Sequence, residues 1–103
     1  MTSIKEAVEF IRKNNILKEW TDTEIYNEIA HAIFNNTLLY TVNKNGVLSG
    51  IVFGTDFKEE KRLHIKCLAG HGNLKSYIEL FKRRYPDYFI TAYRRGKFVT
   101  LKI

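Results

Sequence analysis

Residues 67 to 75 read CLAGHGNLK, and the spacing of Gly70 and Gly72 would let backbone amides close on a phosphate. Before the pair, Leu63, Ile65 and Cys67 alternate with polar residues at the period of a strand, which predicts all three on one apolar face. After it, Leu74, Tyr77, Ile78 and Phe81 recur at helical spacing. A helix opens with unpaired N–H groups and the positive end of its dipole, so a glycine turn there can hold an anion. On that reading Gly70, His71, Gly72 and Asn73 form the cradle, Lys75 adds a cation, and the ligand carries a phosphate. The same residues also read as a plain glycine-permitted turn with Asn73 as the helix cap. Spacing alone leaves both readings open.

The other chemistry-bearing residues are scattered. His31, His64 and His71 each titrate near neutrality, but none has a carboxylate at a suggestive spacing, so they read as surface or packed histidines. Cys67 would need a depressed pKa to act as a nucleophile, and beside Ile65 it reads as core. Asp56, Glu59 and Glu60 form a solvated turn in TDFKEEKR rather than an acid/base pair. No catalytic residue is assigned. One cysteine and dispersed histidines give no metal site either.

Charge is more informative. The chain carries +6 overall, yet residues 1–74 hold nine Lys or Arg against nine Asp or Glu. The excess lies in residues 75–103, where eight basic residues face only Glu79 and Asp87. Lys82, Arg83 and Arg84 fall on the predicted third helix, and Arg94, Arg95 and Lys97 on a hairpin tip. Tyr77, Tyr85, Tyr88 and Tyr93 are interspersed among them. Three cations within four residues repel one another unless something anionic meets them, and aromatics beside cations suit phosphates and stacked bases. The expected partner is an acidic protein or a nucleic acid.

The 103 residues, 45% apolar and 27% charged, suffice for one domain with one core. No apolar run approaches the length of a membrane span, so no membrane partner is expected. Lys5, Glu6 and Glu9 stand where a secretory leader would be apolar, and the expectation is a cytoplasmic, intracellular protein.

Positioning elements follow from caps and periods. Ser3 with Glu6, and Thr21 with Glu24, have the capping-box spacing that opens two helices. Asn14-Asn15 and Asn35-Asn36 close them, and Trp20 packs as a staple. Residues 37–42 and 47–53 read as strands joined at Asn45-Gly46, where both residues tolerate positive φ. Strand 63–68, helix 74–84, strand 88–93, a turn at Gly96 and strand 98–103 follow. Proline at position 86 stops the helix. The fold class is therefore α+β in the order α-α-β-β-β-α-β-β, with a mostly antiparallel sheet and one parallel crossover.

This order, with a glycine-bearing turn LAGHGN before the third helix, resembles the central part of the GNAT (Gcn5-related N-acetyltransferase) fold over about residues 3 to 93. It is similar to compact bacteriophage proteins of that shape, which share the helix followed by a P.Y.I.A.R..K ending at residues 86–97. The resemblance implies that residues 68–75 bind acetyl-CoA by its pyrophosphate and that the activity is N-acyl transfer. Three departures qualify that. Cys67 stands where the family's turn carries Arg or Gln, and the helix after the fourth-strand equivalent is missing, as is the family's first strand. The reading that weighs all of this is a truncated GNAT-like binding module without catalysis, an inhibitor or assembly factor. An acetyl-CoA-dependent N-acyltransferase is the alternative.

Overall fold

The computed structural model describes residues 3–70, 74–94 and 96–101, with Arg94 described by its backbone alone. Helix α1 (Ile4–Lys13) starts where the Ser3 side chain accepts a hydrogen bond from the Glu6 amide. Helix α2 (Asp22–Phe34) starts at a full capping box between Thr21 and Glu24, in which each side chain accepts from the other residue's backbone N–H. Asn14 and Asn35 end the two helices, each also donating from its side-chain amide to a carbonyl of the last turn. Between them Arg12 ties the connection down. It donates to the Asp22 carboxylate at 2.7 Å and to the carbonyl oxygens of Leu17 and Trp20. Trp20 packs half-buried against the apolar cluster beneath α1 and α2.

The five strands are β1 (Leu38–Val42), β2 (Leu48–Phe57), β3 (Arg62–Gly70), β4 (Phe89–Arg94) and β5 (Lys97–Thr100), in spatial order β1-β2-β3-β4-β5. All neighbours pair antiparallel except β3 and β4, which are parallel and joined by helix α3 (Leu74–Arg84). The element order is the one the sequence predicts, an α+β fold with three helices on a mixed sheet. No described helix is long and apolar enough to cross a membrane.

Three local expectations are corrected. In the first hairpin only Gly46 takes positive φ (+78°), and Asn45 does not. The loop is a four-residue turn from Asn43 to Gly46, closed by the Gly46 N–H to the Asn43 carbonyl, with the Asn43 side chain accepting from the amides of Asn45 and Val47. The stretch TDFKEEKR is only partly a turn. Thr55, Asp56 and Phe57 extend β2, and the reversal is a short 3-10 turn at Lys58–Glu60 that ends on Lys61 in the left-handed region.

The third correction concerns β3. Phe53 pairs with Cys67 but Gly54 pairs with Ile65, so Lys66 is an extra residue, a β-bulge. The bulge reverses the alternation. Leu63 and Ile65 face α3, packing with Tyr77, Ile78, Phe81 and Ile90, whereas Cys67 and Ala69 face α1 and α2, packing with Ile11, Ile29 and Phe53. Leu63, Ile65 and Cys67 therefore do not share a face. Gly54 is glycine for the same reason, because a Cβ there would overlap the His64 carbonyl across the bulge.

Helices cover the two faces unequally. The cluster under α1 and α2 draws its strand residues from β1, β2 and β3, and none of its described members comes from β4 or β5. On that side β4 and β5 lie open.

Candidate functional site

Gly70 is the last residue of β3, paired with Gly50 and held at φ +81°. A Cβ on Gly70 would overlap the Ser49 carbonyl and the Phe10 ring of α1. Its lack of a side chain thus answers to the packing of α1 on the first hairpin. His71, Gly72 and Asn73 lie outside the described residues. Lys75 sits exposed in the first turn of α3.

Beside that turn the sheet opens. The parallel pairing of β3 with β4 ends at Ile65↔Ala92, after which β3 continues along β2 while β4 follows β5. The opening holds a cleft of about 150 Å³ lined by Ile65, Cys67, Leu68, Leu74, Ala92 and Tyr93, among others. Cys67 is buried, and burial pushes its thiol up to about 12, so it stays protonated at neutral pH and is no nucleophile.

The basic residues are not gathered into one patch. Lys82, Arg83 and Arg84 end α3 next to the start of β4, while Arg94 and Lys97 pair at the far end of the β4–β5 hairpin. Arg95 lies outside the described residues. Arg84 donates to the Asn36 carbonyl at 2.6 Å, where it satisfies the chain end of α2. Lys82, Arg83 and Lys97 are exposed. The ion pairs among the described residues are Arg12–Asp22, Arg62–Glu60 and Lys66–Glu28, and none includes these three.

The tyrosines divide likewise. Tyr77 is buried, with its hydroxyl 3.2 Å from that of Thr41. Tyr85 and Tyr88 lie with ring centroids 4.9 Å apart and planes tilted by 39°, and both are half-buried. Burial first, then the Asp56 carboxylate, raises the Tyr85 hydroxyl above its ordinary value. Tyr93 is exposed.

What sequence reasoning missed is the open sheet face. Ile90 and Ala92 point to α3, so Phe89, Thr91 and Tyr93 point the other way. Phe98 of β5 joins them, its ring edge-on to Tyr93 at 5.2 Å and tilted against His64 at 5.2 Å. His64 Nδ1 lies 3.0 Å from the Thr91 hydroxyl, which also accepts from Arg62. Arg62 lies over the Phe57 ring at 4.3 Å while donating twice to Glu60. A continuous strip of rings and cations thus crosses four strands. Phe98 is 69% exposed, Phe89 65% and Tyr93 59%. The available signal was the phase of Phe89, Tyr93 and Phe98, which is opposite to that of Ile90 and Ala92.

His64 sits inside this strip with its pKa lowered, chiefly by burial and then by the charges of Arg62 and Lys66. At neutral pH it is an uncharged ring. Lys66, the extra residue of the bulge, pairs with Glu28 of α2 at 3.2 Å, and both line a polar hollow of about 190 Å³ under α2. Among the described residues no three His, Cys, Asp or Glu side chains converge as metal ligands.

Compared with protein-family models, curated proteins and solved structures, the chain finds no match.

Proposed function

We propose that the protein is a non-catalytic binding module of GNAT-like shape that holds an anionic partner on its C-terminal basic surface. The observation that carries this reading is the placement of the cations at the β4–β5 hairpin. Lys97 is exposed and without an acidic partner among the described residues, and the hairpin sequence adds Arg94 and Arg95. Unneutralised positive charge on a tip is repulsive in isolation and becomes favourable when counterions on an anionic partner are released. Lys82 and Arg83 form a second, separate pole. Arg84 contributes less, because its guanidinium is already committed to α2. A protonated Cys67 and the lack of an assigned general base fit a role without chemistry. The same reading makes it an intracellular inhibitor or assembly factor of the kind bacteriophages encode.

Heparin retention of charge-reversed variants tests it. Arg94→Glu, Arg95→Glu and Lys97→Glu together are expected to elute at markedly lower salt than the parent, and Lys82→Glu with Arg83→Glu to fall between. Weak retention of the parent, or equal elution of all three, overturns the assignment.

The parting of β3 from β4 beside α3 favours a second reading, an acetyl-CoA-dependent N-acyltransferase with the CoA pyrophosphate at residues 68–75. Ligands of open sheets with parallel strands bind where the carboxyl ends of such strands diverge. Acetyl-CoA at 100 times its dissociation constant would stabilise the fold by about 2.7 kcal/mol. A cooperative melt that acetyl-CoA leaves unmoved removes this reading.

A further inference from the structure

We infer that the open face of β3, β4 and β5 binds single-stranded nucleic acid, with bases stacked on Tyr93 and Phe98 and phosphates led to the hairpin cations. This rests on the anion-binding reading above and names the class of partner.

The argument starts from what an exposed aromatic costs. Phe98 and Tyr93 leave large apolar rings in water, side by side, on a face that α1 and α2 do not reach. The rings are held in place. Phe98 is braced by Tyr93 on one side and by His64 on the other, and His64 is fixed by Thr91. A pre-set ring loses little freedom on binding, so its stacking energy is not spent on ordering. Neutral His64 extends the π-surface inward, and the Arg62 guanidinium lies 4.3 Å from the Phe57 ring centre at the other end of the strip. Rings spaced along a sheet, with Arg planes among them, take up successive unstacked bases, which duplexes do not offer.

Charge chooses among occupants. A second copy of this chain would bring like charge to like at the hairpin, against a net charge of +6 on each copy. A polyanion gains there instead. An acidic protein could meet the same positive charge, but it would have to set apolar side chains against the rings between its carboxylates. A single strand satisfies both, because it alternates a phosphate with a flat base at every step.

The test uses the full chain and fluorescence anisotropy with labelled 12-nucleotide single strands of DNA and RNA, a 12-bp duplex, heparin and polyglutamate as separate probes. Tyr93→Ala and Phe98→Ala are both at exposed positions, and circular dichroism melts confirm that each variant is folded. Single strands are expected to bind more tightly than the duplex, and each variant to lose about ten-fold in single-strand affinity while heparin binding is unchanged. Unchanged single-strand affinity in both variants, or preference for duplex or polyglutamate, overturns the stacking inference and leaves anion binding standing. Failure of every polyanion to bind removes both. A dimer in sedimentation that Phe98→Glu dissolves also overturns it, because the face would then be occupied by a second copy.

Discussion

The His64 ring meets the Phe98 ring with centroids 5.2 Å apart and planes at 59°, which joins β3 to β5 across β4 beside the part of the face that α1 and α2 cover. Both rings stand on strands whose opposite faces are packed under α3, where Leu63, Ile65, Ile90 and Ala92 are buried. One side of these strands packs under α3, and on the other Tyr93 and Phe98 are exposed.

His64 makes stability depend on pH. Its folded pKa lies below the ordinary value of 6.5, through burial and the nearby charges of Arg62 and Lys66. Between the two values the unfolded chain binds more protons than the folded one. The contribution is therefore complete above pH about 6.5 and is lost as pH falls through the folded pKa. Urea midpoints taken from pH 7.5 to 5 are expected to decline more steeply in the parent than in His64→Gln. Parallel declines would contradict this account of the histidine.

Gly54 and Gly46 should respond differently to alanine. At Gly54 the added methyl overlaps the His64 carbonyl across the bulge, so backbone must move, at about 2–3 kcal/mol. At Gly46 nothing lies within 4 Å, and the cost is only that of φ +78°, about 1 kcal/mol. For a domain of this size these correspond to melting shifts of roughly 10 °C or more against about 5 °C. Calorimetry of both variants gives the ranking directly, and a reversed order would place the bulge elsewhere.

Much of the fold was legible in the chain, and these glycines mark where legibility ended. Caps at Ser3, Thr21, Asn14 and Asn35 act through side chains a few residues away, so local sequence carries them. A bulge arises between strands. Lys66 has no property that announces it, and its trace was an isolated glycine in the partner strand. The same limit hid the site. Alternation separates two faces of a strand but does not say which stretch of a face a helix will cover. Phe89, Tyr93 and Phe98 are ordinary strand residues until α1 and α2 are seen to stop short of them. Arg84 was read as a binding cation because nothing local to it shows the Asn36 carbonyl, 48 positions away in the chain.

Thr37 fastens α2 to the sheet. Its buried hydroxyl donates to the Gly54 carbonyl at 2.8 Å, and the backbones of the two residues are also bonded, Gly54 N–H to Thr37 carbonyl. Thr37→Val keeps the volume and leaves that carbonyl short of a donor, so a loss of about 1–3 kcal/mol is expected in chemical denaturation. A change below a few tenths would mean another donor takes over.

Cys67 should be inert in the folded protein. With the thiol buried and its pKa near 12, iodoacetamide at pH 8 is expected to modify it only as the chain unfolds. Mass spectrometry of native and urea-unfolded samples reads this out. Rapid native alkylation would show that the cleft between β3 and β4 opens to reagents.

The central claim is that cations of the β4–β5 hairpin hold an anionic partner, and the salt dependence of binding tests it most directly. Affinity for a 12-nucleotide single strand should fall linearly on logarithmic axes. Three phosphate contacts give a slope of about −2, or roughly 20-fold between 50 and 200 mM salt. The account predicts that slope for the parent and a slope near zero when Arg94, Arg95 and Lys97 are all changed to Glu. A shallow slope in the parent, or one unaffected by the triple change, would contradict it.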